Sequence, residues 1–440
     1  MLKRPAVLLS LVALMAWPAS ATAQNVPLSE LVIRVLVPDI TLASPTHAAH
    51  FRGFEPAQII VPAAINSTIV SQLANVPLAS SSGGFTWTVD PTLGTFSRKT
   101  SSFGPAFAER AFTSGAKRWS AGFNYQRSTY DSFEGQDLDG EIKVYLLHAD
   151  SSAPFSTAPP DPFFEGDVIE NTMNLKLTSD TFTFFANYGV TDRLDVGLAL
   201  PVVSTDMDIT VTSRIVRQAT STLPFIHSFD DNQSDTRTIT QSGSATGLGD
   251  IILRGKYALY QTERLGMAAG LDLRVPTGDE ENLLGTGGTQ TKLYFVASGG
   301  AQRIAPHVNL GYTFAGGGYG AGDLRSDQPN EFNYTFGVDT AVTPRLTFAA
   351  DFLGRSLIDA GRLELGTREV PFMDVNGQPG VGSFEEFVLR DGSLNLAVGA
   401  AGVKWNPRGT LLISAHGLFP LTKAGLRDNF TAVIGIDYSF

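Results

Sequence analysis

The 440-residue chain has no cysteine, only 17% charged residues and, beyond its first two dozen positions, no long apolar run. Without cysteine there is neither a disulfide framework nor an amino-terminal Cys to carry lipid, so stability has to come from pairing and burial. A bilayer-spanning helix needs about 20 consecutive apolar residues, and no later stretch approaches that. The one apolar run, Ala6 to Trp17, follows Lys3 and Arg4 and precedes Ala21-Thr22-Ala23. That is the layout of a secretory signal peptide cleaved after Ala23, and it predicts a mature chain that leaves the cytoplasm without a helical anchor. The formal charge is -11, and losing Lys3 and Arg4 takes it to -13, which argues against a nucleic-acid partner.

What the chain has in quantity is glycine and aromatics: 44 Gly, 29 Phe and 11 Tyr. Its last segment alternates strictly. Phe430, Ala432, Ile434, Ile436, Tyr438 and Phe440 share one parity, and Asn429, Thr431, Gly435, Asp437 and Ser439 the other. Period two is a strand with one greasy face. The same alternation runs through Leu194 to Leu200 and Leu265 to Val275, and through Trp119 to Tyr125, Phe182 to Tyr188, Ile251 to Leu259, Val308 to Phe314, Phe332 to Val338 and Leu346 to Phe352.

The connections sort by length. Short turns such as "GVTDRLD" at 189–195, "QTERLG" at 261–266, "AVTPRLT" at 341–347 and "WNPRGT" at 405–410 alternate with long polar stretches at about 204–246, 276–288, 315–330 and 357–391. A soluble sandwich has no reason for that asymmetry. A closed outer-membrane barrel has, with brief periplasmic turns, long extracellular loops and no edge left open to hydrocarbon. The pattern predicts an all-β, closed antiparallel transmembrane barrel of about 14 strands, 12 to 16 being compatible, spanning 85–440 in a Gram-negative outer membrane. Residues 24–84 lack a clean period and read as an amino-terminal arm or as a plug in the barrel mouth. Tyr438 and Phe440 fall at the periplasmic interface, where aromatics form a girdle. A final strand of this kind also resembles the signal read by the barrel-assembly machinery.

If the apolar parity meets lipid, the other parity lines the lumen. Asp195, Asp250, Arg254, Lys256, Asp272, Arg274, Lys292, Asp339, Asp351 and Asp437 fall there as candidate lumen-lining residues, either as ion pairs within the wall or as a constriction that selects permeants. Catalytic, metal and nucleotide readings are weak. Ser414 and His416 share a strand face but lack an orienting partner and an oxyanion donor. His47 and His50 have no further ligand near them, Asp137, Asp139 and Glu141 form an incomplete calcium loop, and the glycine spacing in 316–323 has no strand-to-helix context. No enzyme and no cofactor is expected.

"GLGDIILRGKYALY" at 247–260, "AAGLDLRVPTGDEENLLGTGG" at 268–288 and "ANYGVTDRLDVGLALPVV" at 186–203 resemble a family of outer-membrane channels associated with bacterial meta-pathway phenol degradation, more distantly similar to the long-chain fatty-acid channels. The resemblance covers 186–314 and the last strand. It implies passive uptake of small hydrophobic or aromatic compounds. A general porin for polar solutes, or a surface adhesin or receptor working through its long loops, are the alternatives that the residues leave open.

Overall fold

The computed structural model describes residues 26–36, 40–43, 51, 56–75, 84–90, 95–98, 100–147, 167–218, 227–262, 265–299, 303–319, 326–374, 376 and 378–440. The signal peptide and the His47/His50 pair lie outside them.

Twelve strands close a barrel: β1 Trp119–Tyr130, β2 Val168–Gly189, β3 Leu194–Val216, β4 Ile251–Gln261, β5 Leu265–Val275, β6 Gln290–Gly299, β7 Ile304–Ala315, β8 Glu331–Thr343, β9 Leu346–Leu357, β10 Leu394–Arg408, β11 Leu411–Pro420 and β12 Thr431–Ser439. Each pairs antiparallel with its neighbour in sequence, and β12 pairs with β1 to close the ring. At the seam the amides and carbonyls of Trp119 and Phe440 bond reciprocally at 3.0 and 2.9 Å. Two further strands, Asp139–Leu147 and Thr236–Leu248, pair with the upper parts of β2 and β3. The count therefore reaches 14 in the sheet but 12 in the ring.

The outer face is apolar where the strands are short. Leu293, Phe336, Trp405, Ile434 and Tyr438 are 40–54% exposed. From Phe430 to Phe440, ten steps of about 3.3 Å tilted by about 40° project to about 25 Å, the height of a lipid-facing band. Trp119, Tyr257, Tyr260, Trp405, Tyr438 and Phe440 are exposed at the short-turn rim. Phe182, Phe314, Phe332, Phe419 and Phe430 mark the other rim. This is the construction of a barrel that spans the outer membrane, its strands paired edge to edge around a closed ring.

Two readings of the long connections need correction. Residues 204–216 and 236–248 are strand, because β3 runs 23 residues and its upper half has its own partner. The 357–391 loop holds the hairpin Arg362–Met373/Pro379–Arg390. "LTSDTFTF" lies within the single 22-residue strand β2.

Two helices stand in the extracellular mouth, α1 Leu28–Leu36 and α2 Pro56–Ala74. They form the main apolar core with the inner faces of the upper β2 and β3: Leu31, Val35, Ile65 and Ile69 meet Met173, Leu175, Met207 and Ile209, all at most 3% exposed. The Ser29 amide bonds to the Glu281 carbonyl at 2.9 Å and the Asn171 side-chain amide donates to the Leu36 carbonyl at 2.8 Å, so the cap is fixed to both loop and wall. Helix α1 is buried on most sides, with Glu30 and Arg34 paired on the remaining face at i, i+4 spacing. The barrel wall begins at Trp119, not at residue 85. Residues 102–114, just before it, are buried inside the barrel.

Candidate functional site

Residues 100–118 have no regular secondary structure apart from the last turn into β1, yet 102–114 are buried in the lumen. Irregular backbone at membrane depth must have its amides satisfied by something other than a ladder. Here the barrel wall does it with side chains. Asp195 of β3 accepts from the Ser114 amide at 2.9 Å. Ser298 of β6 accepts from Ala111 at 3.0 Å, and Asn309 of β7 accepts from Glu109 at 2.6 Å while donating to its carbonyl at 2.8 Å. On β9, Thr347 accepts from Phe103 at 2.9 Å, and one oxygen of Asp351 accepts from Phe107 and Ala108 at 2.7 and 3.2 Å. Asp437 of β12 accepts from the Gly84 amide. The polar residues of the lumen are a cradle for a plug.

The plug leaves through a tight turn at the periplasmic end. Gly115 takes a φ of 94° and Lys117 one of 62°, after which the Lys117 amide bonds to the Gly189 carbonyl at 2.7 Å. A side chain at Gly189 would collide with the Gly115 carbonyl, so both positions need glycine for different reasons.

The ten candidate lumen residues divide by what they hold. Asp195, Asp351 and Asp437 bind plug amides, and Asp339 stands 3.5 Å from His307, whose other nitrogen contacts Asp351 at 2.7 Å. Lys256 donates to the Arg110 carbonyl at 3.1 Å and lies 3.5 Å from Glu109. Arg254 binds Asp272 through two contacts of 2.6 Å and also pairs with Glu109 of the plug. Arg274 and Lys292 line a cavity. Asp250 is the exception and needs correction: it sits above β4 and accepts from the Gly278 amide and from the amide and hydroxyl of Thr286 at 2.7–3.0 Å, so it closes an extracellular loop and not the pore. Parity cannot detect this, since the alternation ends where the strand does. Tyr438 and Phe440 point outward at the short-turn rim with ring centroids 5.8 Å apart.

Residues the parity argument did not single out complete the site. Glu109 is the plug carboxylate that receives Arg254 and Lys256, and no pattern marks it because its segment has no period. Glu331 and Arg355 pair across β8 and β9. Ser414 and His416 both lie on the lumen face of β11, where the His416 ring rests 5.9 Å from Phe107 under the plug. The 136–141 segment is closed on itself, Asp137 accepting from Asp139 and Glu141 from Asp137, at 2.8 Å each.

Above the plug are two adjoining cavities. The larger, about 200 Å³, is floored by Phe107 and Glu109, is walled by β4 to β9 and reaches Asn75 at the end of α2. The smaller, about 120 Å³, shares Asn75, Leu353 and Arg355 with it and is faced by Leu396, Val398, Leu418 and Leu426.

No curated protein matches the sequence. Among solved structures, an outer membrane channel from Pseudomonas putida F1 aligns over 75% of this chain and 98% of its own, at 13% identity and a TM-score of 0.44. A Pseudomonas aeruginosa FadL homologue aligns over 83% and 97%, at 13% identity and a TM-score of 0.31. The P. putida toluene transporter TodX aligns over 74% and 90%, at 9% identity and a TM-score of 0.31. Residues 165–356 match the family described as Putative MetA-pathway of phenol degradation, the family that the glycine-rich strand and loop motifs of this chain resemble.

Proposed function

We propose that this protein is an outer-membrane channel through which small hydrophobic or aromatic compounds enter passively. The observation that carries the reading is the pair of cavities between plug and cap. One has an apolar side formed by Leu353, Leu396, Val398, Leu418, Phe419 and Leu426 and opens onto one whose floor and wall carry Phe107 and Tyr294. Against these apolar surfaces an apolar solute gains about 25 cal/mol for each Å² it buries. The plug below is held by separate hydrogen bonds to wall side chains, each worth about 1 kcal/mol net, so it can yield locally without opening the barrel. The family description names phenol, itself a single-ring compound. Cells carrying the protein are expected to take up radiolabelled toluene or phenol several-fold faster than cells lacking it. Gly270→Trp should return uptake to baseline, because a side chain at Gly270 meets the Tyr294 ring and drives it into the lumen. Equal uptake with and without the protein would remove the basis for a channel.

A further inference from the structure

The larger cavity carries a charge pattern that wall and plug do not use up. Four cationic side chains reach it, Arg254, Arg274, Lys292 and Arg355, against the three carboxylates Glu109, Asp272 and Glu331. All three carboxylates are engaged. Asp272 gives both oxygens to Arg254 at 2.6 Å each, Glu331 receives Arg355, and Glu109 receives Arg254 and Lys256. Lys292 stands directly across the β5–β6 ladder from Asp272, whose oxygens are already taken. Among the described residues its ammonium has no ion pair, and the Tyr294 ring is 5.9 Å from it. An ammonium facing a lumen closed by plug and cap is costly until an anion meets it.

The rest of the lining fixes what that anion is attached to. Tyr294, Phe107, Ile252 and Leu353 supply apolar surface to the same cavity. A cavity of about 150 Å³ accommodates one benzene ring, and this one, at about 200 Å³, has room for a ring and one substituent. A phenol, with a pKa of about 10, is neutral at pH 7, whereas a carboxylic acid near 4 is ionised. We propose that the cavity is a binding station for a small monoaromatic carboxylate, its ring against Tyr294 and Phe107 and its charge received by Lys292. The inference rests on the channel reading only for the route by which the ligand arrives.

Isothermal titration of the full-length protein in detergent tests it with three probes: benzoate, benzyl alcohol and acetate. Benzoate should bind, while benzyl alcohol, which keeps the ring, and acetate, which keeps the charge, should each bind at least about tenfold more weakly. Lys292→Met should weaken benzoate by about tenfold or more and leave benzyl alcohol unchanged, and Lys292→Arg should recover benzoate to within about threefold. Circular dichroism of both variants excludes misfolding as the cause. Absence of benzoate heat, equal affinity for benzoate and benzyl alcohol, or an unaltered Lys292→Met variant overturns the proposal. Uptake of a neutral ring by cells reads the channel separately. Benzoate binding without such uptake keeps the station and sinks the channel, and uptake without benzoate binding does the reverse.

Discussion

The lower and upper halves of β2 and β3 are the same two strands in two solvents. Below, the outward positions are Phe182, Phe184 and Tyr188 on β2 and Val196, Leu198 and Val202 on β3, and the inward ones include Thr181, Thr183, Asn187 and Asp195. Above, the outward positions are Asp180, Lys176, Asp206, Asp208, Thr210 and Thr212, and the inward ones are Leu177, Leu175, Met207, Ile209 and Val211. The change falls at one level, since Phe182 pairs with Val202 while Asp180 pairs with Ser204. The pleat has not slipped. The greasy face changes sides because the outside changes from lipid to water and the inside from a plug whose backbone amides need acceptors to an apolar cap.

The sharpest way to break that comparison is to put one charge at each kind of position. Ile209→Asp, on the inner face at 0% exposure, buries a carboxylate with no partner against α1 and α2. It should cost about 4 kcal/mol or more and expose residues 26–75 to limited proteolysis while the barrel stays intact. Leu198→Arg, on the outer face within the lipid band, should cost about 2–4 kcal/mol in refolding into bilayers. Thr210→Arg, on that same face twelve residues further up, should stay within about 0.5 kcal/mol. If Thr210→Arg costs as much as Leu198→Arg, the band extends higher than Phe182 and the inversion has been misplaced.

The inversion also explains what could be read from sequence. Alternation with apolar residues facing out is legible wherever a strand has lipid on one side and side chains of a lumen on the other, as in β5, β8 and β12. The upper β2 and β3 keep period two with the opposite sense, so "VVSTDMDITVTSRIV" looks like a polar connection when only the outward parity is weighed. The charges Asp195, Asp351 and Asp437 stand out in the sequence, but their partners do not. Those partners are backbone amides of Gly84, Phe107, Ala108 and Ser114, and an amide has no sequence signature. Helix α2 is hidden for a related reason, since a helix buried on most sides has no polar face to set its period.

Plug and cap differ as well: the plug adds wall-to-amide hydrogen bonds to small apolar clusters around Phe103, Ala106, Phe107 and Ala111, whereas one large apolar cluster holds the cap. Asp351→Ala removes the acceptor of two plug amides and the partner of His307, leaving buried donors unpaired. The expected cost is about 1–3 kcal/mol, with faster hydrogen exchange at Phe107 and Ala108 and more frequent open-channel steps in a planar bilayer. Val35→Ala in the cap, at a similar cost, should leave the conductance trace unchanged.

The smallest effect belongs to an ionic cluster of the upper wall. Glu170, on the extracellular part of β2, receives the Tyr145 hydroxyl at 2.9 Å, Arg214 at 3.0 Å and Lys143 at 3.2 Å. Burial pushes its carboxyl up, but the hydrogen bonds from Tyr145, Arg214 and Lys143 outweigh this and hold it below its ordinary value. A carboxyl depressed on folding adds stability that is fully present above its unfolded pKa of about 4.3 and is lost as pH falls through the lower folded value. The packing of Asp139–Leu147 and the upper β3 on the upper β2 should therefore be flat in stability between pH 7 and 5 and weaken only in more acidic buffer. Glu170→Gln should remove that acidic slope while leaving the Ile209→Asp defect untouched. A slope that persists in Glu170→Gln would overturn the assignment of the acid sensitivity to Glu170.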